Sequence, residues 1–116
     1  MKITRLYTGP DGQSHFEEVE LPLEDREEFG RFSTPQRLKA FFFREIPPGW
    51  EYPWHNVVCR EYVIMIDGTA EIEVGSGNVR VFRKGDVLLA EDCTGKGHRT
   101  RVIGKRPWKQ VFITLP

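Results

Sequence analysis

Apolar and polar residues alternate with a period of two along much of this chain, in short runs closed by turn signals. The clearest run is Thr69–Val74, where Ala70, Ile72 and Val74 alternate with Glu71 and Glu73. Successive side chains of an extended strand point to opposite faces, so these three apolar residues face a core and the two glutamates face water. The preceding Asp67-Gly68 is a tight hairpin signal, because it supplies the positive backbone angles that a two-residue turn needs. Residues 57–66 before that turn read as one long strand. After it, Gly75-Ser76-Gly77-Asn78 turns the chain, Val79–Phe82 extends, Arg83-Lys84-Gly85-Asp86 turns again and Val87–Ala90 follows. His98–Ile103 and residues 110–115 complete the pattern.

The first third is less regular. Residues 2–7 and 14–21 read as strands around Gly9-Pro10-Asp11-Gly12, a strong turn signal. Residues 24–35 are charged, contain Gly30 and Pro35, and read as a loop with room for a helical turn. In residues 38–46, Phe41, Phe42 and Phe43 place bulk on both faces, which predicts a strand covered on both sides. Short strands at this spacing predict a sandwich or barrel. A jelly roll is the all-β solution that also manages its edge strands. The expectation is one antiparallel jelly-roll domain over residues 1–116, without repeats or linkers.

Composition narrows the function classes. Lysine plus arginine equals aspartate plus glutamate at 17 each, which gives no electrostatic footprint for nucleic acid or an anionic membrane. No apolar run approaches the ~20 residues of a membrane span. Residues 1–8 lack the apolar stretch of a signal peptide, so the sequence points to the cytoplasm. Two cysteines, Cys59 and Cys93, make no disulfide scaffold, and Cys59 reads as a small buried hydrophobe ahead of the alternative, a thiolate ligand on the face of His55 and Glu61. Eight phenylalanines and three tryptophans are a large aromatic supply for this length, and the surplus predicts a surface for a second copy of the chain.

The candidate chemistry lies in His55, Glu61 and His98. The first two belong to Gly49-x5-His55-x-Val57-x3-Glu61-x6-Gly68, and the third closes a stretch that begins at Gly85. Two imidazoles and a carboxylate suit a divalent transition metal with open coordination positions. Residues 55, 57, 59, 61, 63 and 65 share one face if the segment is extended, so His55 and Glu61 are expected to look into one cavity. A carboxylate on that inward face must be paired, ligated or neutralised. On the same parity, Trp50, Tyr52 and Trp54 should face away from His55, as a rim. Glu91 and Asp92 lie in the turn before His98, and Glu91 is the candidate for proton transfer. Arg44, Arg60, Arg99 and Arg101 flank the motif strands. One turning inward would favour an acidic substrate, since guanidinium binds carboxylate through a two-pronged fork.

The motif resembles that of the cupin superfamily, whose first motif reads Gly-x5-His-x-His-x3or4-Glu-x6-Gly. Val57 stands where the family usually has a second histidine, and Pro47-Pro48-Gly49 is similar to the family's lead-in. The second family motif is degenerate here. From Gly85, Glu91 replaces its proline, Cys93 its glycine, two extra residues precede His98, and Val102 replaces its asparagine. The resemblance covers residues 47–102. It implies a double-stranded β-helix, homodimeric assembly, and a divalent cation (iron, zinc, nickel or manganese) on His55, Glu61 and His98, with Val57 leaving a position open. It further implies a metal-dependent oxygenase, isomerase or lyase acting on a small polar organic compound. Such folds host many functions. A non-catalytic ligand-binding barrel and a self-associating regulatory module without a functional metal therefore stand as alternatives.

Overall fold

The alternating runs fold as strands, and their apolar faces meet between two sheets. The protein is described over residues 1–116 by a computed structural model. Its strands are β1 (Lys2–Thr8), β2 (Ser14–Glu20), β3 (Glu24–Asp25), β4 (Arg31–Phe32), β5 (Ala40–Ile46), β6 (Glu51–His55), β7 (Glu61–Asp67), β8 (Thr69–Val74), β9 (Val79–Phe82), β10 (Val87–Ala90), β11 (His98–Ile103) and β12 (Trp108–Thr114). A single 3-10 turn, Glu27–Phe29, lies in the charged segment. With 55% strand and 3% helix, the fold is all-β by a wide margin over the roughly one-third helix of an average domain.

Six strands form one sheet in the order β2-β1-β10-β7-β12-β5, four form a second in the order β6-β11-β8-β9, and β3 and β4 pair as a separate two-stranded ribbon. The sheets are not closed into a barrel, so this is a double-sheet jelly roll. Every pairing is antiparallel except β1 with β10. Val63, Met65, Leu88, Ala90 and Phe112 of the large sheet meet Ala70, Ile72, Val74, Phe82 and Val102 of the small one in a single core. Gly68 holds the β7–β8 turn. Its φ is +80°, and a side chain there would strike the backbone of Pro107 and Trp108.

Residues 57–66 do not form one strand. The chain leaves the small sheet after His55, crosses through residues 56–60, and enters the large sheet at Glu61. Asn56 anchors the crossing, its amide donating to the carbonyls of Asp92, Thr94 and Gly95 at 2.8–3.3 Å. Strand β6 lies in a stretch the alternation did not mark. The expectation that β5 is covered on both sides also fails. Phe42 faces inward and stacks on Phe112, with centroids 5.1 Å apart and planes at 1°. Phe41 and Phe43 face outward and are 59% and 72% exposed, because β5 is an edge strand with no layer beyond it.

The two outer faces differ. On the small sheet, Glu73 pairs with Arg99 at 2.8 Å and Glu71 with Arg101 at 3.2 Å. That is the ordinary polar exterior of an antiparallel sheet. On the large sheet, strand register aligns Phe43, Val111, Ile64 and Val87 in one row and Phe41, Ile113, Tyr62 and Leu89 in the next.

Candidate functional site

Between the sheets lies a cavity of about 500 Å³. Strand β5 contributes Phe42 and Arg44, β7 contributes Glu61 and Val63, and β12 contributes Trp108 and Phe112. Facing them are Tyr52 and His55 of β6 and His98 of β11, with Trp50 just before β6. His55, Val57, Cys59, Glu61 and Val63 all line it, as their shared parity predicts, although the segment is not one strand. Trp50 and Tyr52 line it too, contrary to parity. The reason is a bulge: β11 pairs His98 with His55 but Thr100 with Tyr52, so β6 carries one extra residue between Tyr52 and His55. An extra residue reverses the facing of everything beyond it. The Tyr52 ring consequently meets His55 edge-on at 4.0 Å, while Trp54 turns outward beneath Arg99 and Lys96.

The two imidazoles adjoin, with ring centroids 4.4 Å apart and planes at 57°. Gly97 permits this approach. Its φ is +78°, and the space a side chain would take is filled by the His55 carbonyl. The Nδ1 of His55 donates to the Pro53 carbonyl at 2.7 Å, which leaves its Nε2 as a lone pair. Burial, reinforced by the neighbouring His98, lowers the His55 pKa below its ordinary value, so the ring is neutral near pH 7. The Nδ1 of His98 donates to Asp92 Oδ2 at 2.6 Å, and the Ser14 hydroxyl donates to the same oxygen at 2.7 Å. Asp92 is wholly buried, and its Oδ1 has no partner.

Glu61 enters the cavity from the opposite sheet. Burial raises its carboxyl to about 7, against the opposing influence of Arg44 and His98. Arg44 is half-buried, and desolvation lowers its pKa. Its guanidinium lies over the Trp50 ring at 5.5 Å and the Phe112 ring at 5.6 Å.

The structure thus brings His55 and His98 together and places Glu61 in the same cavity. No three histidine, cysteine, aspartate or glutamate side chains are arranged to hold an ion as they stand. The donor chemistry nonetheless fits a divalent metal at the imidazole pair. Each ring has its Nδ1 committed and its Nε2 free, and His98 carries the buried carboxylate that commonly orients a metal-binding histidine.

Glu91 is not a cavity residue. Period two from the inward Ala90 sends it outward, where Arg5 and Arg60 each donate to it at 2.5 Å. Burial would raise its pKa, but these two hydrogen bonds outweigh burial and hold it below the usual carboxylate range, so it is no free base near pH 7. The sequence placed Asp92 in the turn before His98 but singled out its neighbour Glu91, and Ser14 carried no signal. Asp92 was findable, since the alternation that turns Glu91 out turns Asp92 in. Arg44 was named as one of four candidates, and its place between Phe42 and Ile46 on β5 selects it.

Comparison with known proteins agrees with this architecture. No protein-family model matches the chain. A cupin-domain-containing oxidoreductase of Aspergillus ruber is 28% identical over 71 residues, which is 61% of this chain and 35% of the relative. The chain therefore matches about a third of that relative's length. Among solved structures, an RmlC-like cupin of Methanocaldococcus jannaschii superposes with a TM-score of 0.56 at 11% identity, over 84% of this chain and 92% of that one. The DMSP lyase DddQ of Ruegeria pomeroyi superposes with a TM-score of 0.56 at 26% identity, over 78% of this chain and 43% of that one. The chain folds as a small cupin domain.

Proposed function

We propose that this cupin domain handles a small polar organic compound as a metal-dependent enzyme, with His55 and His98 as nitrogen ligands and Glu61 as the carboxylate. One observation carries the reading: two adjacent imidazoles have their Nδ1 atoms tied back and their Nε2 atoms free. A divalent metal, when bound, supplies Lewis-acid or redox chemistry. The chain's own contributions are separate from it. Asp92 and Ser14 hold the His98 ring, Pro53 holds that of His55, and Glu61 supplies compensating negative charge. Val63, Phe112 and Trp50 exclude water and lower the local dielectric, which strengthens every polar contact inside. The oxidoreductase name of the fungal relative and the lyase name of the structural neighbour support an enzyme.

The test is metal content and affinity, measured on purified protein and on His55→Ala and His98→Ala variants. Each variant should lose most of the metal while keeping its fold. A parent and variants with equal metal affinity would overturn the reading. One observation favours a second reading, a binding cavity without a functional metal: no three donors converge as placed. Ligand binding that is indifferent to chelation would support it.

The expected protein partner is a second copy, and the face that suits it is the outer face of the large sheet. That face carries the two apolar rows, while the small sheet's exterior is filled with ion pairs. Aromatic side chains cover ~150–250 Å² each. The exposed parts of Phe41 and Phe43, with the aliphatic residues of both rows, amount to several hundred Å², on the scale of the ~800 Å² that each partner buries in a standard interface.

A further inference from the structure

Four arginines flank the motif strands, and one differs from the rest. Arg60 holds Glu91, Arg99 holds Glu73 and Arg101 holds Glu71. Arg44 faces the cavity with no carboxylate within ion-pair distance and no hydrogen-bond acceptor for its guanidinium. Glu61 lines the same cavity but makes no ion pair with it. Arg44 is half-buried, so part of its hydration is lost and no carboxylate of the chain replaces it.

The surroundings of Arg44 lean the same way. Its register partner on β12 is Gln110, which is wholly buried with neither amide atom partnered. One step along the same face, Ile46 pairs with Trp108, which lines the cavity and whose indole N–H has no acceptor. Gln110 lies behind the lining, so the cavity itself presents two unpartnered donors at this end, the Arg44 guanidinium and the Trp108 indole N–H. The guanidinium lies over the Trp50 and Phe112 rings. Stacking of that kind fixes the plane of the group and leaves its edge, with the paired N–H donors, free to grip a carboxylate. Most of the remaining lining is apolar: Phe42, Val57, Val63 and Ile72.

The geometry points to Arg44 as the recognition site for a small organic carboxylate, whose apolar body packs against Phe42, Trp50 and Phe112 and whose far end reaches the imidazole pair. This names the substrate class of the site proposed above, and it rests on that reading for the role of the imidazoles but not for the anion contact itself. The carboxylate answers the charge on Arg44, and the aromatic walls select against small hydrated anions. A volume of about 500 Å³ suits a molecule of modest size.

The probes are benzoate and hexanoate, each compared with its uncharged amide, and the readouts are calorimetric affinity and melting temperature. They are applied to metal-loaded parent, chelated parent, Arg44→Met, Arg44→Lys and the double variant His55→Ala/His98→Ala. At least one acid should raise the melting temperature of the parent while its amide does not. Arg44→Met should weaken binding by about ten- to a hundredfold, the loss of a charge-assisted pair, and Arg44→Lys should retain part of it as a point charge. The double histidine variant separates the two readings. If it loses metal yet keeps its acid binding, the Arg44 site stands whether or not the metal reading does. Circular dichroism and melting of the ligand-free variants establish that they are folded. Should Arg44→Met misfold, Arg44→Lys against the parent decides by its partial loss. Acid binding that is equal in parent and Arg44 variants, equal for acid and amide, or absent for both acids in the loaded and chelated parent overturns the proposal.

Discussion

Replacing Glu61 with glutamine tests the electrostatics of the cavity without changing its shape. The carboxyl is held at about 7 against an ordinary value of 4.5, with burial as the leading cause and Arg44 and His98 in opposition. A raised carboxyl pKa means that the folded protein keeps a proton which the unfolded chain has released. The associated stability is fully present below the unfolded value and is lost as pH rises through about 7. A gap of about 2.5 in pKa, at ~1.4 kcal/mol for each, sets a ceiling of about 3.5 kcal/mol. Glu61 is only half-buried and solvent screens the remainder, so the working figure is on the order of 1–2 kcal/mol. Glutamine does not titrate. In chelator-treated protein, Glu61→Gln and the parent should therefore differ little at pH 5, and the variant should be the more stable at pH 8.5. The gain corresponds to about 3–8 °C in melting temperature for a domain of this size. The assay is thermal unfolding of both proteins at the two pH values, reported as the difference between differences. The titration of His55, whose pKa burial lowers, is common to both proteins and cancels. Added divalent metal should reverse the order at pH 8.5, because only the parent offers the cation a carboxylate. A parent–variant difference that does not change with pH would refute the reasoning.

Other perturbations address the remaining parts of the site and fold. Asp92→Asn weakens the anchor of His98 and should lower metal affinity by about 10–100-fold, read by competition with a chromogenic chelator. Gly97→Ala requires a side chain at φ +78° in space occupied by the His55 carbonyl, and should cost about 2 kcal/mol or more in chemical denaturation while disturbing the imidazole pair. Phe112→Ala opens the inner face of β12 and should cost about 3–5 kcal/mol. Phe41→Ser with Phe43→Ser should leave monomer stability almost unchanged and shift sedimentation from dimer to monomer. A parent that sediments only as monomer at tens of micromolar would remove the assembly proposal.

Alternation by itself determined the class of fold and much of its detail. Strands β8 to β11 have the bounds read from the chain, since Gly-containing turns end them and their inward residues recur at every second position. It also determined the inward facing of Val63, Met65, Ala70, Ile72 and Val74, because side-chain direction along one strand is a local property. Counted one residue further, it would have sent Glu91 outward and Asp92 in. What the alternation cannot carry is which sheet a strand joins and which residue lies across from it. The bulge that turns Tyr52 toward His55 exists only in the pairing of β6 with β11. The exposure of Phe41 and Phe43 follows from the edge position of β5, which is a fact of strand order. The likeness of His55, Glu61 and His98 to a ligand set was legible as spacing. That His55 and His98 touch, that Glu61 reaches their cavity from the other sheet, and that Arg44 stands there without a partner depend on contacts between distant segments. Those contacts form only when the two sheets stack, and no local pattern of residues records them.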